Sequence, residues 1–317
     1  MMKIYKTFDE QGLFREVSNI EKGCWINLVA PTEQEINTIS EAVKISDEFI
    51  RYPLDQEERA RIDYDDDNDL LLIVEDVPID ETPDDLDDEE FSTIPLGMIV
   101  VKDDFFITVC SRENQIIKDF EACKIKGVYT FKKTRFILQI MYRTATSYLS
   151  HLKLINRDTD RTVDKLQLSM RNEELIKLLA LQKSLVYFTT SLKANEIVME
   201  KILRGHIIKM YDEDEDILED AIVENKQAIE MGTIYRDILS GTMDAYASVI
   251  SNNLNIVMKF LAGITIIFAI PAAIAGLWGM NIAVPFENDP NAFWIVCGIT
   301  GIITLVAYII MRKKDMM

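Results

Sequence analysis

The sequence has few of the residues that build soft-metal sites and disulfides. Among 317 residues there are four cysteines, without C-x-x-C spacing, and two distant histidines, His151 and His206. We interpret the cysteines as packing residues of a reducing compartment, not as zinc ligands or disulfides. Positive charge is also scarce, because 34 Lys and Arg stand against 53 Asp and Glu, a net charge of −19. Such a chain repels phosphates, so we expect cations as partners and no nucleic acid.

Motifs of ATP-driven pumps and common hydrolases are missing as well. The chain has no Gly-x-x-x-x-Gly-Lys-Ser/Thr, no Gly-x-Ser-x-Gly and no His-Glu-x-x-His. No nucleophile and base stand out as a pair. We therefore expect that the protein is not an enzyme.

Helix-breaking residues are rare over more than half of the chain. No proline occurs between Pro95 and Pro271, and residues 128–262 include only three glycines. This composition predicts long helices, which we assign to a helical stalk domain over residues 128–257. A break is expected at the acidic run 211–216, after which one helix should continue into the first membrane span.

Charge disappears from two segments near the C-terminus, residues 260–286 and 291–311. A membrane-spanning helix needs about 20 apolar residues, so we predict spans at residues 258–280 and 292–311. A buried hairpin of a soluble core is the less favoured alternative.

The charges beside the two spans predict their orientation. Lys259 lies at the start of the first span, the basic tail 312–317 follows the second, and the loop 281–291 carries only acidic charge. The positive-inside rule then places both termini in the cytoplasm, so we expect a two-span protein of the cell membrane. The first residues contain no apolar run, so no signal peptide is expected.

Residues 1–127 have the mixed pattern of a compact cytosolic α/β domain. Thr32 and Glu35 form a predicted capping box that opens a helix, and the apolar runs 96–101 and 105–110 flank a predicted hairpin turn. The whole chain is thus predicted to be an α+β membrane protein.

Acidic residues are concentrated in one stretch of this domain. Residues 62–90 contain fifteen Asp or Glu and no Lys or Arg. For any individual residue we favour a solvated loop, the usual state of such runs. The alternative is a divalent-cation site, in which adjacent carboxylates bind Mg²⁺ or Ca²⁺.

A stripe of small and polar residues follows the predicted long helix. Alternating steps of four and three residues from Asp244 reach positions on one helix face, namely Ser248, Ser251, Asn255, Met258, Ala262, Thr265, Ala269, Ala272 and Gly276. Only Met258 is neither small nor polar. A surface that faces lipid does not require such residues.

Two explanations of the stripe stay open. Small residues allow close helix packing, whereas polar ones can line a path for water and ions inside a ring of helices. The polar part continues through Asn255, Ser251 and Asp244, which favours the path. Two spans cannot enclose a path, so a homo-oligomer is required. Met258 and Leu261 would form a dewetting gate, although Leu261 also fits ordinary packing.

The tripeptide Gly279-Met280-Asn281 lies between the two predicted spans, where it resembles the signature of the CorA family of divalent metal ion transporters. Residues 25–28 and 31–33 resemble the first strand and helix of that family, and residues 246–259 resemble its stalk. The resemblance covers nearly the whole chain.

The resemblance implies a homopentameric funnel whose pore is lined by the long first helix. Asn281 matches the residue that meets the hydrated ion at the outer mouth, within a selectivity filter of Gly279, Met280 and Asn281. The inner constriction matches Asn255, Met258 and Leu261. Further pore-lining positions are Thr265, Ala269, Ala272 and Gly276.

The resemblance also implies regulation by Mg²⁺ bound between protomers. Asp244 matches the stalk carboxylate of that site, and Asp80 matches its partner. We therefore expect a passive Mg²⁺ uptake channel that intracellular Mg²⁺ closes. The alternatives are a relative that transports Co²⁺, Ni²⁺ or Zn²⁺, including export, and a membrane-anchored acidic adaptor protein.

Overall fold

The computed structural model describes the chain except for residues 9–13, 67, 81–90, 103, 170–171, 206, 281–284, 286–289 and 315–317. The chain divides into two compact units, Met1–Ser240 and Gly241–Met317. The described residues form the strands β1 (Met2–Thr7), β2 (Phe14–Glu16), β3 (Trp25–Val29), β4 (Arg61–Asp65), β5 (Leu70–Asp80), β6 (Phe91–Val101) and β7 (Phe105–Cys110). The α-helices are α1 (Glu33–Val43), α2 (Asp47–Arg51), α3 (Gln115–Glu121), α4 (Lys133–Ser169), α5 (Asn172–Gly205), α6 (Asp212–Trp278) and α7 (Ala292–Lys313).

All seven strands form one sheet in the order β2-β1-β3-β7-β6-β5-β4. The central pair β3 and β7 is parallel, and the other neighbouring pairs are antiparallel. The predicted hairpin is confirmed, since β6 and β7 pair antiparallel from Val101–Phe105 to Leu96–Cys110. The predicted α/β character of the N-terminal part is confirmed with it.

The two faces of the sheet are both covered. Leu71 and Ile73 of β5 belong to one apolar cluster with Phe136 of α4, whereas Leu72 belongs to a second cluster with Ile36 of α1. Burial on both faces explains why residues 70–74 are continuously apolar instead of alternating. Each such side chain, when fully buried, contributes about 1.5–3 kcal/mol of hydrophobic stabilisation.

The capping box is present where the sequence predicts it. Thr32 Oγ1 accepts a hydrogen bond from the backbone N–H of Glu35 (3.3 Å), and Glu35 Oε2 accepts one from the N–H of Thr32 (2.8 Å). Both bonds satisfy backbone donors that the first turn of α1 would otherwise leave without a partner.

The acidic stretch differs from the favoured interpretation. β4 and β5 occupy most of its described part, so a solvated loop is wrong for residues 70–80. β5 pairs with β6 along its full length, from Leu70–Val101 to Asp80–Phe91. Residues 81–90 lie outside the described residues.

The long helices are confirmed. α4, α5 and α6 contain 37, 34 and 67 residues, and α6 continues through residues 258–278 of the predicted first span, ending at Trp278. α6 begins at Asp212, so the acidic run is its first turn and the break precedes it. Acidic side chains stabilise that position because the N-terminus of a helix carries partial positive charge.

Candidate ion pathway and regulatory carboxylates

Among the residues that the structure describes, two helices are long and apolar enough to cross a membrane, α6 through its C-terminal part and α7. The most apolar 18-residue stretch of each helix is only 6% (α6) and 0% (α7) buried. Large side chains such as Phe268 and Trp294 are exposed by 71% and 73%. A buried hairpin of a soluble core would enclose these side chains, so their exposure favours membrane spans over that alternative.

The stripe on α6 faces away from α7. A cleft of about 880 Å³ separates the two helices, and its α6 wall includes Ile267, Pro271, Ile274 and Trp278. Each of these residues comes two positions after a stripe residue: Thr265, Ala269, Ala272 and Gly276. Two positions correspond to about 200° around a helix. The stripe therefore lies on the opposite side of α6 from its neighbour.

Every residue of the stripe is exposed in the single chain, including Asn255, Ala262, Thr265, Ala269 and Ala272. Met258 and Leu261 are each 56% exposed. A Cβ added at Gly276 would meet nothing within 4 Å. No contact within the described part of this chain therefore explains the small residues. Close packing of this face would have to involve another chain, and an ion path likewise requires further copies.

Two hydroxyl groups of the stripe, those of Ser248 and Thr265, are already bonded to the helix backbone. Thr265 Oγ1 donates to the carbonyl oxygen of Leu261 (2.8 Å), and Ser248 Oγ donates to that of Asp244 (3.0 Å). With the hydrogen engaged, each oxygen presents lone pairs to its surroundings. Acceptors of this kind suit the water shell of a cation, whose hydrogens point outward.

The predicted filter begins directly after α6. The N–H of Gly279 donates to the carbonyl oxygen of Ala275 (2.9 Å), and a Cβ added at Gly279 would lie 3.2 Å from that same oxygen. Gly279 thus suits a close approach to the last helical turn. Met280 is 51% exposed. Asn281 lies outside the described residues.

The two predicted regulatory carboxylates belong to different units. Asp80 ends β5, and its side chain is 74% exposed, with Oδ1 3.4 Å from Nε2 of His151 on α4. Asp244 is exposed on α6 and forms no ion pair with any residue that the structure describes. No group of three or more His, Cys, Asp or Glu positioned for a metal occurs among the described residues.

A pair of acids inside β5, Glu75 and Asp76, was not predicted as a candidate site. Glu75 is 1% exposed, and its Oε2 accepts a hydrogen bond from Thr144 of α4 (3.3 Å). Burial raises the pKa of Glu75 to about 8 and that of the partly buried Asp76 to about 6. The sequence did contain a signal for this pair: residues 70–74 and 77–79 on either side are apolar, and two acids inside such a strand are unusual.

Comparisons with known proteins find relatives that match most of this chain. A family profile described as CorA-like Mg²⁺ transporter protein matches residues 21–313. The cobalt/magnesium transport protein CorA of Methanocaldococcus jannaschii is 29% identical over 300 residues, which cover 92% of this chain and 90% of that protein. The protein of the same name from Thermotoga maritima is 32% identical over 149 residues, 42% and 41% of the two chains.

A solved structure extends the similarity to the whole fold. The complete structure of the CorA magnesium transporter from Methanocaldococcus jannaschii has a TM-score of 0.82 at 25% identity. The match covers 98% of this chain and 97% of that one.

Proposed function

Because the chain belongs to the CorA family, we propose that it forms a homopentameric Mg²⁺ channel in the cell membrane, through which the ion enters passively. The observation that carries this proposal is the exposed stripe of small and polar residues on the face of α6 opposite α7. In a ring of α6 helices this face lines the centre, and α7 lies outside. Five copies then supply five equivalent lining surfaces.

In this proposal residues 258–280 and 292–311 are the spans, and residues 281–291 form the outer loop. Both termini lie in the cytoplasm, as the basic residues beside the spans predict. The regions 1–127 and 128–257 are the cytosolic domain and the stalk.

Ion selection begins at Gly279, Met280 and Asn281. Mg²⁺ loses its water shell reluctantly, so a ring of side-chain carbonyl groups can recognise the hydrated ion without removing its water. Asn281 provides that carbonyl. Inside the membrane the lone pairs of Thr265 accept hydrogen bonds from the water shell of the ion. Met258 and Leu261 form the apolar constriction at the cytoplasmic end.

Regulation uses the carboxylates Asp244 and Asp80 of neighbouring protomers. A Mg²⁺ ion bound between them holds the protomers together and closes the path. When internal Mg²⁺ falls, the ion leaves and the carboxylates repel each other. Two such charges 4 Å apart interact by about 4 kcal/mol at an effective dielectric constant near 20. A protomer charge of −19 adds to that repulsion.

Cobalt is a second candidate substrate, because two relatives are described as cobalt/magnesium transport proteins. Softer ions prefer sulfur and imidazole ligands. Met258 is the only such residue of the stripe from Asp244 to Gly276. The oxygen-rich stripe therefore favours Mg²⁺.

The proposal is tested by Mg²⁺ uptake into liposomes that contain the purified protein, with luminal Mg²⁺ set low and then high. We expect uptake that decreases at high luminal Mg²⁺. Asn281→Ala should reduce the initial rate roughly tenfold or more, whereas Asn291→Ala, at the other end of the loop, should not. Absence of Mg²⁺ uptake by the unaltered protein would favour the membrane-anchored adaptor or a transporter of another ion.

A further inference from the structure

A cleft of about 510 Å³ lies within the first unit, and none of its lining residues is a predicted ion-site residue. Its walls come from the adjacent strands β4, β5 and β6, the start of α4 and the segment that precedes α6. Pockets of roughly 300–1,000 Å³ are the usual size for small organic ligands.

The cleft is rich in positive charge although the chain as a whole is acidic. Its lining includes four cationic side chains and two acidic ones: Lys132, Lys133, Arg135, Lys209, Asp69 and Asp214. The excess of cations contrasts with the net charge of −19. Opposite charges attract, so lysines of this lining that lack an acidic partner can contact an anionic ligand.

The acidic residues of the cleft already have partners. Asp214 accepts from Arg135 Nε (2.8 Å) and from the backbone N–H of Tyr211 (3.2 Å), and Glu213 accepts from Arg135 Nη2 (2.7 Å). Asp69 accepts from the hydroxyl of Tyr64 (3.1 Å). These contacts neutralise Arg135 and hold the wall in place.

Two of the lysines are not neutralised in this way. Lys132 and Lys209 form no ion pair with any residue in the described part of the chain. Lys132 Nζ lies 4.8 Å from the ring centre of Tyr129, which positions the ammonium group without cancelling its charge. Both lysines are exposed, so their charges are available to a ligand.

Three aromatic side chains line the same cleft and are largely exposed. Tyr64, Phe131 and Tyr211 are exposed by 51%, 52% and 69%. Exposed aromatic rings provide flat surfaces on which a nucleobase can stack. A small inorganic anion would use the lysines but not these rings.

We propose that this cleft binds a nucleoside polyphosphate, with the phosphates held by Lys132 and Lys209 and the base stacked on the aromatic wall. The combination of charge, flat rings and volume fits that class of ligand better than phosphate alone. This site does not depend on the proposed transport, because its residues belong to the cytosolic unit. Tyr211 directly precedes α6, so the ligand contacts the start of the helix that also carries the stripe.

The test is isothermal titration calorimetry on the full-length protein in detergent at low salt, without divalent cations. The probes are ATP, inorganic triphosphate and adenosine. We expect ATP to bind more tightly than either of the other two. The double variant Lys132→Ala/Lys209→Ala should weaken ATP binding at least tenfold, since two charge-assisted contacts are lost.

Two further variants separate the roles of the residues. Lys153→Ala removes an exposed lysine of α4 outside the cleft, so ATP binding should not change. Tyr211→Ala should weaken ATP binding several-fold and leave triphosphate binding unaltered. All four side chains are exposed, and circular dichroism spectra should match those of the unaltered protein.

Three results would overturn the proposal. The first is no ATP binding at millimolar concentration, and the second is ATP binding that the double lysine variant retains. The third is equal affinity for ATP and triphosphate, which would reduce the cleft to a general anion site. None of these results bears on Mg²⁺ uptake.

Discussion

His151 Nε2 lies 3.4 Å from Asp80 Oδ1, a contact between the middle of α4 and the last residue of β5. The imidazole is held on its other side, since Nδ1 lies 2.8 Å from the carbonyl oxygen of Ser147. Phe91 and Phe188 pack edge-on against the ring at 6.0 Å. Asp80, the proposed ligand of regulatory Mg²⁺, is therefore already engaged by a fixed neighbour.

Replacing His151 should strengthen regulation. In His151→Phe the ring packing is retained but the polar contact to Asp80 is lost, so the carboxylate is free for a cation. We expect half-inhibition of uptake at roughly threefold lower internal Mg²⁺. This shift corresponds to a change in the free energy of Mg²⁺ binding well below the ~1.4 kcal/mol of a tenfold change. The measurement is uptake rate against luminal Mg²⁺, with Asp80→Asn as the comparison. A changed response in Asp80→Asn and an unchanged one in His151→Phe would show that the contact is irrelevant.

Removing the charge of Asp244 should weaken regulation. Asp244→Asn deletes one negative ligand of the proposed intersubunit ion, so half-inhibition should need about tenfold more internal Mg²⁺. Asp237→Asn is the matched control, because this exposed carboxylate of α6 pairs with the adjacent Arg236 (3.0 Å). The role assigned to Asp244 fails if both variants respond to Mg²⁺ like the unaltered protein.

Two adjacent alanines distinguish a pathway from a lipid-facing surface. Ala272 belongs to the stripe, and Ala273, also exposed, lies about 100° away on the same helix turn. Leucine at 272 places an isobutyl group in the proposed pathway, so Ala272→Leu should reduce Mg²⁺ flux by about tenfold or more. Ala273→Leu should retain most of it. Equal loss in the two variants would mean that the stripe does not line the pathway.

The buried carboxyl of Glu75 should make the first unit, Met1–Ser240, less stable at high pH. Its pKa is raised to about 8 in the folded state from an ordinary value of 4.5, so the folded protein binds the extra proton between these values. The free energy of unfolding therefore decreases as the pH rises from about 4.5 to 8. Glu75→Gln removes the contribution of this carboxyl, leaving the smaller one of Asp76 below about pH 6, and should raise stability at pH 8 by a few kcal/mol.

Urea unfolding at pH 5.5, 7 and 8.5 measures this effect. Glu41→Gln, an exposed residue of α1, is the control and should follow the unaltered protein. If the urea midpoint of Glu75→Gln changed with pH as much as that of the unaltered protein, the carboxyl of Glu75 would not be buried and neutral.

Features that depend on neighbouring residues were predictable from the sequence. The capping box needs only Thr32 and Glu35, and the β6–β7 hairpin needs two apolar runs with a turn between them. The continuous helix follows from the scarcity of glycine and proline. The stripe could be recognised because helix geometry alone decides which positions share a face.

Features that depend on distant partners were not predictable. Glu75 meets Thr144 across 69 positions, and neither residue carries a local sign of this contact. The strand β5 forms within an acidic run because β6 pairs with it and helices cover its faces, which overrides the local charge pattern. The Asp80–His151 contact likewise depends on how α4 crosses the end of the sheet.

The parallel pairing of β3 with β7 has a consequence for protein synthesis. Trp25 donates its indole hydrogen to Thr108, 83 positions later, and its ring lies 4.9 Å from that of Phe136. Until Thr108 and Phe136 have been synthesised, the indole of Trp25 and the unpaired edge of β3 are exposed to water. Exposed strand edges and apolar side chains promote aggregation. More than a hundred residues must therefore leave the ribosome before the first strands are paired and Trp25 is covered.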